Sequence, residues 1–283
     1  MKRSGVLAVP FLVGLILLIA LPLVAAAVLS FTDYSGIGGV RFTGADNLSR
    51  LASDDGLRRS LANTLFFAGV SVPLRVGAML ALALLLHSRF RSASLARPAV
   101  YLPTVVPEVA YALLWLWLLN PVYGPVAAIL GNLGVGSPNW LTDPTSARLA
   151  MVLMGLFQIG EGFVIALAAR RMLPEQLFEA AKVDGAGGWF TFRRVTLPLM
   201  APVLVLLTLR DVVLSLQINF VPALLVTQGG PRYATTFMPL FVYEQAFKYF
   251  RLGYASAVSV AMFLFTLIAI WIVYRVGRRV KLA

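Results

Sequence analysis

Apolar residues gather in six long runs that shorter polar segments separate. The runs cover residues 8–30, 61–86, 99–119, 149–169, 199–226 and 255–274. Each is long enough to cross the hydrocarbon layer as a helix, which takes about 20 residues. The first run follows Lys2-Arg3 but exceeds the roughly 7–15 apolar residues of a signal peptide, so we expect it to be retained. The pattern predicts an all-α integral membrane protein with six transmembrane helices.

Composition agrees with this pattern, since 59% of the residues are hydrophobic and 13% are charged. The net charge of +12 raises the question of a nucleic-acid partner, but the distribution of the charge argues against one. With the N-terminus inside, the cytoplasmic segments hold fourteen basic residues: Lys2, Arg3, Arg89, Arg91, Arg97, Arg170, Arg171, Lys182, Arg193, Arg194, Arg275, Arg278, Arg279 and Lys281. The outer segments hold eight: Arg41, Arg50, Arg58, Arg59, Arg148, Arg232, Lys248 and Arg251. This bias follows the positive-inside rule and predicts that both termini are cytoplasmic.

The sequence lacks the residue clusters that catalysis would need. His87 is its single histidine and cysteine is absent, so the chain offers no thiolate metal site and no paired histidine ligands. None of the four lysines precedes Ser or Thr, as a phosphate-binding loop would require. We therefore expect no catalytic residues, no metal site and no ATP hydrolysis by this chain alone.

A polar segment between the fourth and fifth runs predicts a short helix outside the membrane. Pro174 suits a first helical turn, residues 175–183 are good helix formers, and Asp184-Gly185 supplies a stop. Gly185 is expected to adopt a positive φ. A helix of about ten residues is too short to be stable alone in water, so it requires a docking surface. An amphipathic helix that rests on lipid headgroups is the alternative.

The spacing in this segment resembles the EAA loop of permease subunits in binding-protein-dependent ABC importers. The matching residues are Glu179, Ala180, Ala181, Asp184, Gly185, Ala186, Phe192, Val195, Leu197, Pro198 and Pro202. The block Leu225-Val226-Thr227-Gln228-Gly229-Gly230-Pro231 is similar to the carbohydrate-uptake permeases of the maltose and glycerol-phosphate type.

The resemblance implies a type I ABC importer permease fold in the bacterial cytoplasmic membrane. Residues 1–283 would form a single permease domain with a coupling loop at 172–198. Glu179, Ala180, Ala181, Asp184, Gly185 and Ala186 would contact the ATPase. The implied partners are a second homologous permease, two ATPase subunits that bind ATP and Mg²⁺, an extracytoplasmic solute-binding protein, membrane lipid and a sugar substrate. This chain would carry no cofactor of its own and bind no nucleic acid.

Polar residues inside the apolar runs are candidates for the substrate pathway, because burial in lipid is costly. Asp211, Ser215 and Asn219 share one face at i, i+4 and i+8, and Gln158 and Glu161 share another. The family register places Gln158, Glu161, Ser215 and Asn219 at positions that line the cavity. Helix-to-helix hydrogen bonding is the alternative role. Glu161 stands where a tyrosine is expected, which leaves a sugar other than maltose open.

Three charged residues have no settled role in the sequence. Arg210 is expected either to pair with an acid such as Glu161 or to attract an anionic substrate. Arg75 is expected to snorkel towards the cytoplasm, and Glu108 follows Pro107 at a predicted kink. A sugar importer is therefore the leading function, with glycerol-3-phosphate or a sugar phosphate as the alternative substrate. An ion-coupled carrier is disfavoured by the coupling loop, and a membrane enzyme by the missing catalytic residues.

Overall fold

A computed structural model of the protein describes residues 4–87, 91–134, 136–217 and 219–280. Lys2, Arg3, Arg89 and Lys281, which contribute to the charge bias, lie outside the described residues. Along the chain the elements are α1 (Ser4–Leu15), α2 (Leu21–Leu29), β1 (Thr32–Asp33), β2 (Arg41–Phe42), α3 (Asp46–Ser53), α4 (Asp55–Leu85), α5 (Arg91–Val105), α6 (Glu108–Leu118), α7 (Pro125–Asn132), α8 (Pro144–Phe157), α9 (Gly160–Met172), α10 (Glu175–Val183), α11 (Gly188–Thr191), α12 (Leu197–Gln217), α13 (Phe220–Pro222), α14 (Met238–Tyr243) and α15 (Leu252–Val280). Short π-helical segments cover Ile16–Ala20, Phe192–Thr196, Ala223–Thr227 and Glu244–Lys248.

The helices long and apolar enough to cross a membrane coincide with the apolar runs of the sequence. Among the described residues, four qualify individually: Val9–Leu29, Asp55–Leu85, Gly188–Thr227 and Leu252–Arg278. Two bent pairs qualify together: Ser94–Val105 with Glu108–Leu118, bent by 103°, and Pro144–Phe157 with Gly160–Met172, bent by 47°. The helical membrane fold is thus confirmed, with four spans or, if each bent pair crosses once, six. The number of crossings and the side of each terminus stay predictions.

The described residues form two compact units. One comprises the chain up to Arg58 together with Met238–Phe265, and the other comprises Arg59–Phe237 and the chain from Thr266 onward. A single permease domain over residues 1–283 therefore stays a prediction.

Asp54 organises the first unit, where it precedes α4. Its carboxylate accepts hydrogen bonds from Tyr254 Oη at 2.7 Å and from the backbone N–H of Leu57 at 3.0 Å. The Arg50 guanidinium lies 4.5 Å from the centre of the Tyr254 ring. Burial acts to raise the pKa of Asp54, but these hydrogen bonds and the charge of Arg50 outweigh it and lower the pKa. The start of α15 is therefore held against the segment that follows β2. The strand β2 itself pairs with β1 through Phe42 and Thr32.

Close packing of α9 organises the core of the second unit. Phe163 on α9 is fully buried in a cluster with Met79, Met200 and Leu207. Gly160 lets α9 approach α5, because a Cβ atom there would lie 2.9 Å from Tyr101 Cα and would also overlap Thr104 Oγ1. The small residue therefore sets the distance between these helices.

The Gly-Gly-Pro block forms a tight turn held by hydroxyl groups. Thr235 Oγ1 donates to the carbonyl of Gly230 at 2.8 Å, and Thr236 Oγ1 donates to that of Gly229 at 3.0 Å. Asn63 Nδ2 donates to the Tyr233 carbonyl at 2.7 Å, which fastens the turn to α4. These contacts give the block a structural role in this chain.

We expect Gly160→Ala to destabilise the protein by about 1–3 kcal/mol, because the added methyl group overpacks against the backbone of α5. Gly77→Ala on α4 is the control, since no atom lies within 4 Å of its added Cβ. The midpoint of thermal unfolding in detergent measures both effects. Equal midpoints for the two variants would contradict the close approach of α9.

Candidate functional site

A polar cavity of about 370 Å³ lies inside the second unit. Its polar lining consists of Arg75, Thr104, Glu108, Tyr111, Gln158, Glu161, Arg210 and Asn219. Met151, Met154, Leu214 and Phe67 contribute apolar surface. Polar groups are costly inside a membrane protein unless they meet one another, water or a ligand, so this concentration marks a candidate pathway.

Interruptions of three helical stretches surround the cavity. The α5–α6 pair breaks at Val106 and Pro107, and the α8–α9 pair breaks at Gln158 and Ile159. The third interruption lies between the end of α12 at Gln217 and the start of α13 at Phe220, with Asn219 in the N-cap position of α13. Irregular backbone at membrane depth is tolerated where it is buried in protein or lines a cavity.

Side chains satisfy the backbone groups that the break between α8 and α9 releases. Gln158 N–H bonds to the Gly155 carbonyl, so the Met154 carbonyl loses its helical donor and instead accepts from Tyr111 Oη at 2.7 Å. The Gln158 carbonyl accepts from Arg75 Nη2 at 3.2 Å, and the Gly160 N–H donates to Thr104 Oγ1 at 3.1 Å. The break is therefore held by side chains from α4, α5 and α6.

Arg75 and Asp211 form a buried ion pair beside the cavity. Arg75 Nη2 lies 3.1 Å from Asp211 Oδ1, and the Asp211 side chain is fully buried. The expectation that Arg75 snorkels towards the membrane surface is wrong. A buried carboxylate on a neighbouring helix neutralises the guanidinium, which removes the need to reach water.

A second ion pair joins Arg210 and Glu161 on the cavity surface. Both side chains line the cavity and are partly exposed to solvent, at 31% for Arg210 and 53% for Glu161. Because Arg210 and Asp211 are adjacent on α12, this helix is tied to α9 through one residue and to α4 through the other. Among the described residues, no group of three His, Asp or Glu side chains is placed to hold a metal ion.

The predicted pathway residues divide into two groups. Gln158, Glu161 and Asn219 line the cavity, whereas Asp211 and Ser215 are buried and do not line it. Asp211 and Ser215 lie on α12, whereas Asn219 lies beyond its end at Gln217. Asn219 Nδ2 instead donates to the Ser215 carbonyl at 2.6 Å and caps the end of that helix.

The predicted coupling segment forms the expected short helix, α10, at Glu175–Val183. Gly185 has a φ of +75°, which confirms the expected left-handed conformation. Its N–H donates to the Lys182 carbonyl and the Ala186 N–H donates to the Ala181 carbonyl, which together make a Schellman motif. The end of α10 is thus defined by its own sequence.

One face of the coupling segment is unoccupied by the described residues of this chain. Glu179, Ala180, Asp184 and Gly185 are exposed, and Ala181 and Ala186 are half-buried. The apolar side chains of Val183 and Trp189 are 87% and 72% exposed. Phe178 faces the opposite way, where the Arg170 guanidinium lies 4.0 Å from its ring centre and anchors α10 to α9.

Sequence reasoning missed several residues of the cavity. Thr104 and Tyr111 were not singled out, and Glu108 was given no role although it lines the cavity. Pro103, Pro107 and the pair Gly160 and Gly162 were the available signals, because proline and glycine inside an apolar run mark interrupted helices that often border a binding site.

A helical membrane protein with interrupted helices around a polar cavity and an exposed helical loop has the architecture of a transport subunit. The chain belongs to the family of inner membrane components of binding-protein-dependent transport systems, which its residues 74–282 match. It is accordingly a permease of the ABC transporter class and a multi-pass protein of the plasma membrane.

Curated relatives match this chain over most of its length. It is 32% identical over 282 residues to the trehalose/maltose transport system permease protein MalF of Thermococcus litoralis, covering 98% of this chain and 94% of the relative. It is 31% identical to the lactose transport system permease protein LacF of Rhizobium radiobacter, covering 92% and 89%. The probable ABC transporter permease protein YesP of Bacillus subtilis is also 31% identical, covering 89% and 83%.

Solved structures support the same fold. A chain of the bacterial alginate ABC transporter, crystallised with an alginate pentasaccharide-bound periplasmic protein, superimposes with a TM-score of 0.86 at 22% identity. The match covers 99% of this chain and 96% of that one. A chain of the MetNI methionine ABC transporter gives a TM-score of 0.54 at 18% identity, covering 83% and 97%.

We expect only weak coupling between Glu161 and Arg210, because both groups face the open cavity. A double-mutant cycle with Glu161→Gln and Arg210→Gln should give an interaction energy below about 1 kcal/mol. Thermal unfolding of the single and double variants measures it. A coupling of several kcal/mol would instead indicate that this pair is sealed from water.

Proposed function

We propose that this chain is a permease subunit of an ATP-driven importer and that it passes a neutral sugar, a disaccharide or oligosaccharide, through the polar cavity. It would pair with a second, homologous permease and receive its substrate from an extracytoplasmic solute-binding protein. Two ATPase subunits, which bind ATP and Mg²⁺, would dock on the coupling segment from the cytoplasm. ATP hydrolysis would reside in those subunits and not in this chain.

The chemistry of the cavity lining carries the proposal. Gln158 and Asn219 offer amides, Thr104 and Tyr111 offer hydroxyl groups, and Glu161 offers a carboxylate. Such groups recognise the hydroxyl groups of a sugar, and the apolar side chains of the lining suit its C–H surfaces. The names of the relatives support the same substrate class, since they refer to trehalose, maltose, lactose and starch degradation products.

The balance of charge favours a neutral substrate over a sugar phosphate or glycerol-3-phosphate. The cavity is lined by Arg75, Arg210, Glu108 and Glu161, two charges of each sign when all are ionised. Each arginine already has a carboxylate partner, Asp211 for Arg75 and Glu161 for Arg210. A phosphate would have to displace one of these partners, whereas a hydroxyl group would not.

The exposed face of α10 supports docking of the ATPase. Glu179 can meet a basic group of the partner, and Ala180 and Ala181 permit a close approach. Val183 and Trp189 would lose their contact with water on docking, which stabilises the complex. The positive φ of Gly185 fixes the exit of the chain from this helix and so sets the angle at which α10 is presented.

Replacing Gly185 by valine tests the coupling role. A β-branched residue in the left-handed region costs about 1–3 kcal/mol, so α10 should lose its C-terminal motif. We expect Gly185→Val to assemble normally but to take up less sugar per ATP hydrolysed. Reconstituted vesicles measure both rates.

Gly187→Val is the matched control, because Gly187 has a φ of −68° and open space at its Cβ position. It should keep the coupling ratio of the unaltered protein. Normal coupling in an assembled Gly185→Val variant would remove Gly185 from the mechanism.

Replacing Asn219 by alanine tests the pathway. Asn219→Ala should slow sugar uptake by about tenfold and leave basal ATPase activity intact, because one or two buried hydrogen bonds to the sugar are lost. Thr208→Ala is the control, since Thr208 donates to the Leu204 carbonyl of its own helix and, in the part of the chain that the structure describes, is not among the residues that line the cavity. Unchanged uptake by Asn219→Ala would remove this residue from the path.

The same vesicles distinguish the substrates. Unlabelled disaccharides should compete with uptake of the labelled sugar, and glycerol-3-phosphate should not. Preferential uptake of glycerol-3-phosphate would overturn the choice of a neutral sugar, and sugar uptake that continues without ATP would overturn the importer class.

A further inference from the structure

Arg75 combines burial, charge and a contact to irregular backbone. It lies within α4 and is 7% exposed. The same nitrogen atom, Nη2, pairs with Asp211 Oδ1 on α12 and donates to the Gln158 carbonyl at the end of α8. One side chain on α4 therefore reaches both the neighbouring helix α12 and the break in the fourth run.

The ion pair is poorly compensated by its other neighbours. Among the described residues, no hydrogen bond of good geometry reaches Arg75 Nε or either carboxylate oxygen of Asp211. Ser71 and Ser215, one helical turn away on the same two helices, are also buried with hydroxyl groups that lack such a bond. A buried pair of this kind contributes little net stability, because desolvation offsets the attraction. Its presence calls for a role other than stability.

The hydrogen bond from Arg75 to the Gln158 carbonyl indicates what this role is. Gln158 is the C-cap of α8, with φ −97° and ψ 45°, and its carbonyl lies at the negative end of the helix dipole. A guanidinium is the strongest donor available for such a carbonyl, and its charge is favourable there. Gln158 at the break and Glu161 in the first turn of α9 both line the cavity. The backbone conformation of the break therefore determines the positions of their side chains in the cavity.

We propose that Arg75 is a positioning residue of the cavity. Its guanidinium holds the end of α8, and Asp211 holds the guanidinium while neutralising its charge. Removal of the pair lets the break rearrange and displaces Gln158 and Glu161 without unfolding the bundle. Only the consequence for sugar uptake rests on the proposed function.

The absence of cysteine from the sequence provides a direct test. Gln158→Cys reports on the break, and Glu108→Cys reports on a different element of the same cavity lining, α6. A water-soluble thiol reagent modifies each variant in the assembled complex, and the mass shift of this chain gives the labelling rate. The rates are compared with and without the double substitution Arg75→Met and Asp211→Leu, which leaves no unpaired charge.

We expect the double substitution to change the labelling rate at position 158 by at least about threefold, because a hydrogen bond to a charged group is lost. The rate at position 108 should not change. An unchanged rate at position 158 would overturn the proposal, as would equal changes at both positions, which would indicate general loosening. Failure of the double variant to assemble would mean that the pair holds the whole bundle, and would also overturn it.

Two further variants separate charge from packing. Arg75→Lys keeps one cationic nitrogen for Asp211 and the Gln158 carbonyl, so it should restore the labelling rate of the unaltered chain. A lysine variant that labels like the double variant would count against the proposal. Ser71→Ala removes a hydroxyl group one turn away on α4 and should have no effect, whereas an effect equal to that of the double variant would assign the change to packing.

Uptake gives the functional consequence. In reconstituted vesicles, the double variant should take up less sugar per ATP hydrolysed, while Arg75→Lys should retain coupling. If the unaltered complex transports no sugar, the proposed function fails and the labelling result still stands. If it transports sugar and the double variant is equally well coupled, the positioning role is refuted.

Discussion

Every backbone amide inside an apolar layer needs a partner, and the cavity of this protein is built from the places where helices fail to provide one. At the end of α8, Tyr111 and Arg75 donate to two carbonyl groups, and Thr104 accepts from the first N–H of α9. At the end of α12, Asn219 donates to the carbonyl of Ser215. The side chains that satisfy these groups also line the cavity, so the helix breaks and the polar site have one physical origin.

A single helix, α9, connects the cavity to α10. The helix α9 begins at the break beside Gln158 and carries Glu161 in its first turn. It ends near Arg170, whose guanidinium packs on Phe178 of α10. If α10 carries the coupling, its displacement would act on α9, whose other end lines the cavity. Alternating access requires two arrangements of such helices, each favoured by a different bound state.

Sequence reasoning succeeded where a local pattern determines the structure. Apolar run length placed the membrane helices, and Asp184-Gly185 placed the end of α10, because a left-handed residue there favours glycine. It failed where distant residues decide. Asn219 lies beyond the end of α12 at Gln217, so the helical period alone does not place its side chain. Arg75 was treated alone because its partners lie on other helices. Proline and glycine marked the breaks, but their sequence positions do not reveal which side chains satisfy the released groups.

The Arg75–Asp211 pair has a consequence for how the chain is made. Asp211 follows Arg75 by 136 residues (211 − 75), which at about 5–20 residues per second takes a ribosome roughly 7–27 seconds. During that interval the counter-ion of Arg75 is not yet synthesised, and an arginine at the centre of a transmembrane helix costs about 2.5–3.5 kcal/mol to insert. The apolar residues of Asp55–Leu85, whose mean hydropathy reaches 1.8, must support its insertion alone. The order of synthesis thus sets a minimum hydrophobicity for α4 that the finished structure no longer needs.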